Sequence, residues 1–174
     1  MIKTSPLSGI YRNHPVKLTE VSGWNIAENF GNAERELTHL NQDSVLVDWS
    51  HIGKISLSGG DASKAAEKLV SGASKIEPLQ SSSNKDKVAL RLTGNDYLIL
   101  CQSGTEADLL GKIDHNITTV IDSTGSQGCL VLGGPRRDEV LQRSTAMDLR
   151  RDRVVAGSVI QSSIHTVGMT LYRT

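Results

Sequence analysis

The sequence predicts an α+β protein built from two related β-α-β-β lobes, the second of them incomplete. Three observations carry that reading. Short strand-like runs such as VLVDW and KISLS alternate with helix-like stretches such as ASKAAEKLV, the interleaving expected of mixed sheets and helices. The chain echoes itself at a spacing of 74 positions: Val47-Asp48 falls on Ile121-Asp122, Ser50 on Thr124, and Leu57-Ser58-Gly59-Gly60 on Val131-Leu132-Gly133-Gly134. The order strand, Gly-Gly turn, helix, loop and hairpin also repeats, which is stronger evidence than the identities. Finally, hydrophobic residues make up 37% of the chain and aromatics only 3%, so the core is aliphatic.

Each element has a local reason. Residues 1–15 read as irregular, with Pro6 and Pro15 as breakers. Val16–Val21 alternates apolar and polar residues, the pattern of a half-buried strand, and Gly23 stops it. Asn32–Leu40 spaces Ala33, Leu37 and Leu40 as a short helix. The two runs in Val45–Leu57 are strands broken at Ser50–Gly53. Gly59-Gly60 turns the chain, and Asp61 suits the N-cap of a helix over Ala62–Val70. Ser71–Asp86, with its SSSNKDK tract, reads as an exposed, mobile connection. Lys87–Thr93 and Tyr97–Cys101 flank Gly94-Asn95 as a hairpin, followed by a short helix over Thr105–Ile113. Thr118–Ile121 and Gly128–Leu132 are strands, and Pro135 opens a helix over Arg136–Arg143. Arg150–Gly157 connects to a last hairpin, Ser158–His165 and Met169–Tyr172, turning around Val167-Gly168. The first repeat spans about 45–113 and the second 118–174, preceded by a strand and helix over 16–44, all in one domain. The second repeat lacks a closing helix and strand; strand 16–21 is one candidate to fill that gap, and the alternative is that the chain is part of a larger protein.

Composition excludes several classes of function. Nineteen basic residues balance nineteen acidic ones among 174, so no bulk charge draws the chain to nucleic acid or to a membrane surface. The basic stretch Arg136-Arg137, Arg143 and Arg150–Arg153 lacks the interleaved aromatics of a single-strand binder. No apolar run approaches the roughly 20 residues that span a bilayer, and the first residues hold no signal-peptide core. A cytoplasmic location is expected. Cys101 and Cys129 both lie in apolar runs, as buried reduced thiols do. No two of His14, His39, His51, His115 and His165 stand at metal-ligand spacing. Ser50 and His51 are sequence neighbours and point to opposite faces of a strand, so they do not form a hydrolytic triad. Gly59-Gly60 and Gly133-Gly134 fit no phosphate-loop pattern. The segment left standing is Asp48-Trp49-Ser50-His51, a carboxylate, an indole, a hydroxyl and an imidazole at a strand break, where irregular backbone can aim side chains at a ligand. Its plainer reading is a bulge with Asp48 capping local amides and Trp49 packed.

Residues 20–62 resemble the opening of the folate-dependent aminomethyltransferase family, which includes the T-protein of the glycine cleavage system. The resemblance lies in Gly23-Trp24, Glu34 or Glu36, Asp48-Trp49-Ser50-His51-Ile52 and Gly59-Gly60-Asp61-Ala62, in register without a gap, and in Ser5-Pro6-Leu7. The stretches 90–100, 120–149 and 156–173 are similar to the gamma subunit of heterotetrameric sarcosine oxidase, of the same superfamily. The resemblance implies that superfamily's folate-binding fold, with tetrahydrofolate as the small-molecule ligand. It makes Trp24, Asp48, Ser50 and His51 candidate folate-binding residues, and Asp86 the candidate catalytic carboxylate, although the family's Gly-Gly pattern before that Asp is absent. The family's pterin-gripping Glu, in a Thr-Gly-Tyr-Thr-Gly-Glu segment, would fall beyond Thr174. The implied function is therefore a folate-binding subunit whose site another protein chain completes. Two other readings remain: an active aminomethyltransferase domain or the N-terminal half of a split enzyme, and a folate-fold scaffold without catalysis.

Overall fold

The computed structural model describes residues 2–114, 118–150 and 152–174; His115 and Arg151, singled out above, lie outside them. In chain order the elements are β1 (Lys3–Thr4), α1 (Ser8–Tyr11), β2 (Lys17–Val21), β3 (Trp24–Asn29), α2 (Ala33–Gln42), β4 (Val45–Asp48), β5 (Gly53–Ser58) and α3 (Ala62–Leu69). A 3-10 turn at Ala73–Lys75 leads to β6 (Ser81–Asn84), β7 (Lys87–Arg91), β8 (Asp96–Cys101) and α4 (Glu106–Leu110). The chain closes with β9 (Thr119–Asp122), β10 (Leu130–Gly133), α5 (Arg137–Ser144), β11 (Val159–Ile164) and β12 (Val167–Tyr172).

A five-stranded sheet, ordered β6-β7-β8-β5-β9, is the main scaffold. Its inner strand β5 alternates sharply. Ile55 and Leu57 meet Ile99 and Tyr97 on β8, and together with Ala89 they face Ala62, Ala65, Ala66 and Leu69 of α3. The opposite face puts Leu90 and Leu98 against Val159, with Tyr172 packed alongside, so the β11-β12 hairpin covers that side. Small alanines on α3 let helix and sheet approach closely, and the apolar area so removed from water holds this half together.

The echo in the sequence is a reciprocal exchange in space. Strand β4 pairs with β10, and β9 pairs with β5, both antiparallel. At the crossing, Trp49 N–H donates to Cys129 O and Ser123 N–H to Lys54 O, each at 2.8 Å. Cys129 N–H donates to Ser50 Oγ (3.1 Å) and Lys54 N–H to Thr124 Oγ1 (3.0 Å). Asp48 Oδ1 accepts Ser50 N–H, and Asp122 Oδ1 accepts Thr124 N–H, both at 2.9 Å. Each Asp-x-Ser/Thr turn thus clamps the start of the other repeat's second strand. The sequence alignment needs one correction. The turn of the second repeat is one residue longer, so Gly59 matches Gly134, not Gly133. Both of these glycines have positive φ, +116° and +96°. The eight-residue helices α3 and α5 then superpose at a spacing of 75.

Other expectations change as well. Residues 1–15 are not irregular throughout, because β1 pairs in parallel with β3 and α1 follows. Strand β2 does not complete the second repeat. It pairs with β3 across a tight turn in which Ser22 and Gly23 both take positive φ, as a primed hairpin turn requires. The Ser-rich tract is strand β6, hydrogen-bonded along β7 from Ser81 to Asn84. Its serines satisfy the ladder with backbone alone, which composition could not reveal. The last hairpin turns at His165-Thr166, with His165 at φ +53°, and not around Val167-Gly168. Asp61 occupies the N-cap position of α3 but makes no capping bond; its carboxylate pairs with Lys64 at 2.6 Å.

Candidate functional site

Register brings three distant segments to one end of the five-stranded sheet. Lys87, Cys101 and Gly53 lie side by side across β7, β8 and β5. The β6–β7 turn, Lys85-Asp86, therefore stands two strand spacings, about 10 Å, from the Asp48–Ile52 turn. Ser22 Oγ donates to Ser103 O (3.1 Å), which holds the β2–β3 turn, and Trp24 just after it, at the same end.

Asp48 anchors this end. Its carboxylate accepts the hydroxyls of Ser5 and Tyr11 and the amide of Ser50. Burial pushes its pKa up, but the hydrogen bonds from Ser5, Ser50 and Tyr11 more than offset this and hold it below the ordinary carboxylate range. Tyr11 responds in the opposite direction: burial, with the Asp48 carboxylate beside it, pushes the phenol up to about 12. Asp48 is thus an ionised tie for the N-terminal segment, which matches the plainer reading of it as a cap. Ser50, only 1% exposed, spends its hydroxyl on Cys129 N–H.

His51 and Trp49 remain available. The Trp49 indole is 46% exposed, whereas Trp24 is 4% exposed and lies under the Lys3 ammonium, 5.5 Å from its ring centroid. Trp24, a folate-binding candidate by the resemblance, is thus packed, whereas the indole of Trp49 faces solvent. His51 Nδ1 is buried with no hydrogen-bond partner, and burial lowers the pKa of its imidazole, with Lys54 adding to the effect and Asp48 opposing it. Asp86 is exposed at the tip of its turn.

Sequence reasoning missed Ser5 and Tyr11, which reach Asp48 from a segment read as irregular. It also missed Lys54, 2% exposed, whose Nζ donates to Ser50 O and Ile52 O at 2.9 Å each. Both thiols are pushed up by burial, and Lys54 partly offsets this at Cys129. Among the described residues no three His, Cys, Asp or Glu side chains cluster as a metal site. The arginines of the second half are largely tied down: Arg136 to Asp43 and Glu139, Arg143 to Glu139, Arg150 to Asp148 and Arg173 to Asp138. No helix among the described residues is long and apolar enough to cross a membrane.

The fold is shared with solved structures. Glycine cleavage system aminomethyltransferase T of Bartonella henselae aligns over 91% of this chain and 47% of its own, with TM-score 0.74 and 18% identity. A chain of heterotetrameric sarcosine oxidase from Corynebacterium sp. U-96 aligns over 97% of this chain and 80% of its own, with TM-score 0.66 and 18% identity. In sequence, an aminomethyltransferase of Geobacillus thermodenitrificans is 28% identical over 163 residues, which is 86% of this chain and 45% of that relative. The chain spans about half the length of the curated relatives it matches in this way. Fold and sequence together define a protein of the folate-binding aminomethyltransferase superfamily. Within it, the chain belongs to the GCVT N-terminal domain family, which matches residues 7–174.

Proposed function

We propose that this chain is a tetrahydrofolate-binding unit of one-carbon transfer, and that another protein chain completes its site. The observation that carries the reading is the convergence of the Asp86 turn and the Trp49–His51 turn at one end of the sheet. Residue chemistry fits a pterin. Trp49 offers an exposed ring face to a flat heterocycle. His51 Nδ1 is a buried polar atom without a partner, and a ligand's polar edge would satisfy it. Asp86, at its exposed turn, would accept a hydrogen bond from the acceptor amine and take up its proton as that amine adds to the carbon of an iminium-type one-carbon donor, the C=N π pair passing to the donor nitrogen. Asp48 and Ser50 support the turn rather than touch the ligand, and Trp24 is packed under Lys3. A partner chain agrees with the structural neighbour, a chain of a heterotetrameric sarcosine oxidase.

The test is equilibrium binding of tetrahydrofolate by calorimetry to the full chain and to Asp86→Ala. The reading expects measurable binding that the substitution weakens about tenfold, the size of one hydrogen bond to a charged group. Failure to bind at millimolar ligand, alone and with a co-purified partner chain, would sink it.

A further inference from the structure

Lysine is rarely buried without a partner, yet Lys54 is 2% exposed and joins no ion pair among the described residues. Its ammonium is held by two backbone carbonyls, Ser50 O and Ile52 O. Those carbonyls belong to the residues on either side of His51. The rest of the turn is equally fixed. Trp49 N–H reaches Cys129 O, Ser50 N–H reaches Asp48, Ile52 N–H returns to Trp49 O at 3.0 Å, and Ser50 Oγ receives Cys129 N–H. In a turn held this firmly, His51 Nδ1 is the buried polar atom without a partner.

We propose that Lys54 is a positioning residue of the site: by gripping the carbonyls that flank His51, its ammonium sets the imidazole, with its free Nδ1, for a polar group of the ligand. The proposal rests on the reading that this turn faces tetrahydrofolate. Its charge also matters. Lys54 is surrounded by Cys129, Glu106, Asp122 and Asp48, and burial lowers its own pKa against their pull. His51 faces Asp48, which favours its charged form, and Lys54, which with burial disfavours it. The imidazole is therefore held neutral at neutral pH. Removing the Lys54 charge takes away one of the two downward influences, so the titration of His51 moves up.

The experiment compares the wild-type chain with Lys54→Met and Lys54→Arg. It follows the His51 ring resonances by NMR from pH 4 to 9 and tetrahydrofolate binding at pH 7. In Lys54→Met the His51 midpoint is expected to move to higher pH. Its dissociation constant is expected to rise about tenfold, as for loss of a charge-assisted hydrogen bond. Lys54→Arg keeps the charge and should restore the midpoint. A His51 midpoint unchanged in Lys54→Met overturns the proposal, and so does undiminished binding. If the wild-type chain binds no tetrahydrofolate, the functional reading falls while the His51 titration still decides the role of Lys54. If Lys54→Met does not fold, the wild-type ammonium decides. A resolved, slowly exchanging 15N signal coupled to two carbonyl carbons supports the grip, and a rapidly exchanging ammonium overturns it.

Discussion

Helices α3 and α5 hold equivalent places in the two repeats, each of eight residues after a positive-φ glycine, yet only one of them is packed. Helix α3 buries Ala62, Ala65, Ala66 and Leu69; α5 buries none of its residues. At the positions matching those four, α5 carries Arg137, Val140, Leu141 and Ser144. The sheets differ in the same sense. Strand β5 is flanked by β8 and β9, while β10 pairs only with β4 among the described strands. Leu130 and Val140 are left exposed in the second repeat, as are Leu46 on the paired strand β4 and Leu37 and Leu40 of α2. The lesson is that duplicating a chain's topology does not duplicate its core. Core formation depends on small and aliphatic side chains at the facing positions and on a sheet wide enough to receive them.

The largest expected effect tests that difference directly. Leu69→Ala removes a side chain that is 3% exposed in the first core, and should cost about 2–5 kcal/mol by lost burial and cavity formation. Val140→Ala, on the matching helix at 39% exposure, should cost less than about 1 kcal/mol. Urea denaturation of both variants measures this. Equal losses would mean that the second repeat is packed as tightly as the first and would remove the contrast.

A smaller and more local effect separates matched glycines. A Cβ at Gly53 would collide with Cys101 Sγ and approach Glu106 Oε1 at 2.9 Å. At Gly128, 75 positions on, it would meet only Pro6 Cγ and Ser50 Oγ, at ordinary contact distances of 3.7 Å. Gly53→Ala should therefore destabilise by about 1–3 kcal/mol, as overpacking does, while Gly128→Ala stays within about 0.5 kcal/mol. Thermal melts of the pair decide it. A Gly128→Ala loss as large as that of Gly53→Ala would show that the second turn is as crowded as the first.

What the sequence made legible follows the same division. Strong periodicity over Lys54–Leu69 placed β5 and α3, whose buried Ala62, Ala65, Ala66 and Leu69 recur at helical spacing, because a packed face leaves a pattern. Strand β6 left none, since three serines in a row carry no alternation and pair through backbone alone. The repeat was visible, but its register was off by one residue because Gly133-Gly134 imitates Gly59-Gly60; only backbone conformation tells which glycine must be one. In the site, Asp48–His51 stood out as an unusual set of polar groups. Ser5, Tyr11 and Lys54 did not, because their roles depend on contacts between segments far apart in sequence. Lys54 follows Gly53 on a strand whose Ile55 and Leu57 face inward, a position that reads as solvent-facing until the fold covers it.

The smallest expected effects concern the crossing, where the two repeats are alike. Ser50→Ala deprives Cys129 N–H of its acceptor, and Thr124→Val does the same to Lys54 N–H. Both hydroxyls are buried, at 1% and 3% exposure, so water cannot readily replace them, and each loss should cost about 1–2 kcal/mol. Valine keeps the shape of threonine, which isolates the hydrogen bond from packing. Because each hydroxyl serves the other repeat's strand, the two losses should be similar in size despite the unequal cores around them, and amide exchange should quicken at Cys129 in the first variant and at Lys54 in the second. A Thr124→Val loss several times that of Ser50→Ala would mean that the crossing belongs to the first core and is not a shared joint. Equal losses would place the symmetry of this chain in its polar turns, the one part of the duplicated plan that both repeats have kept.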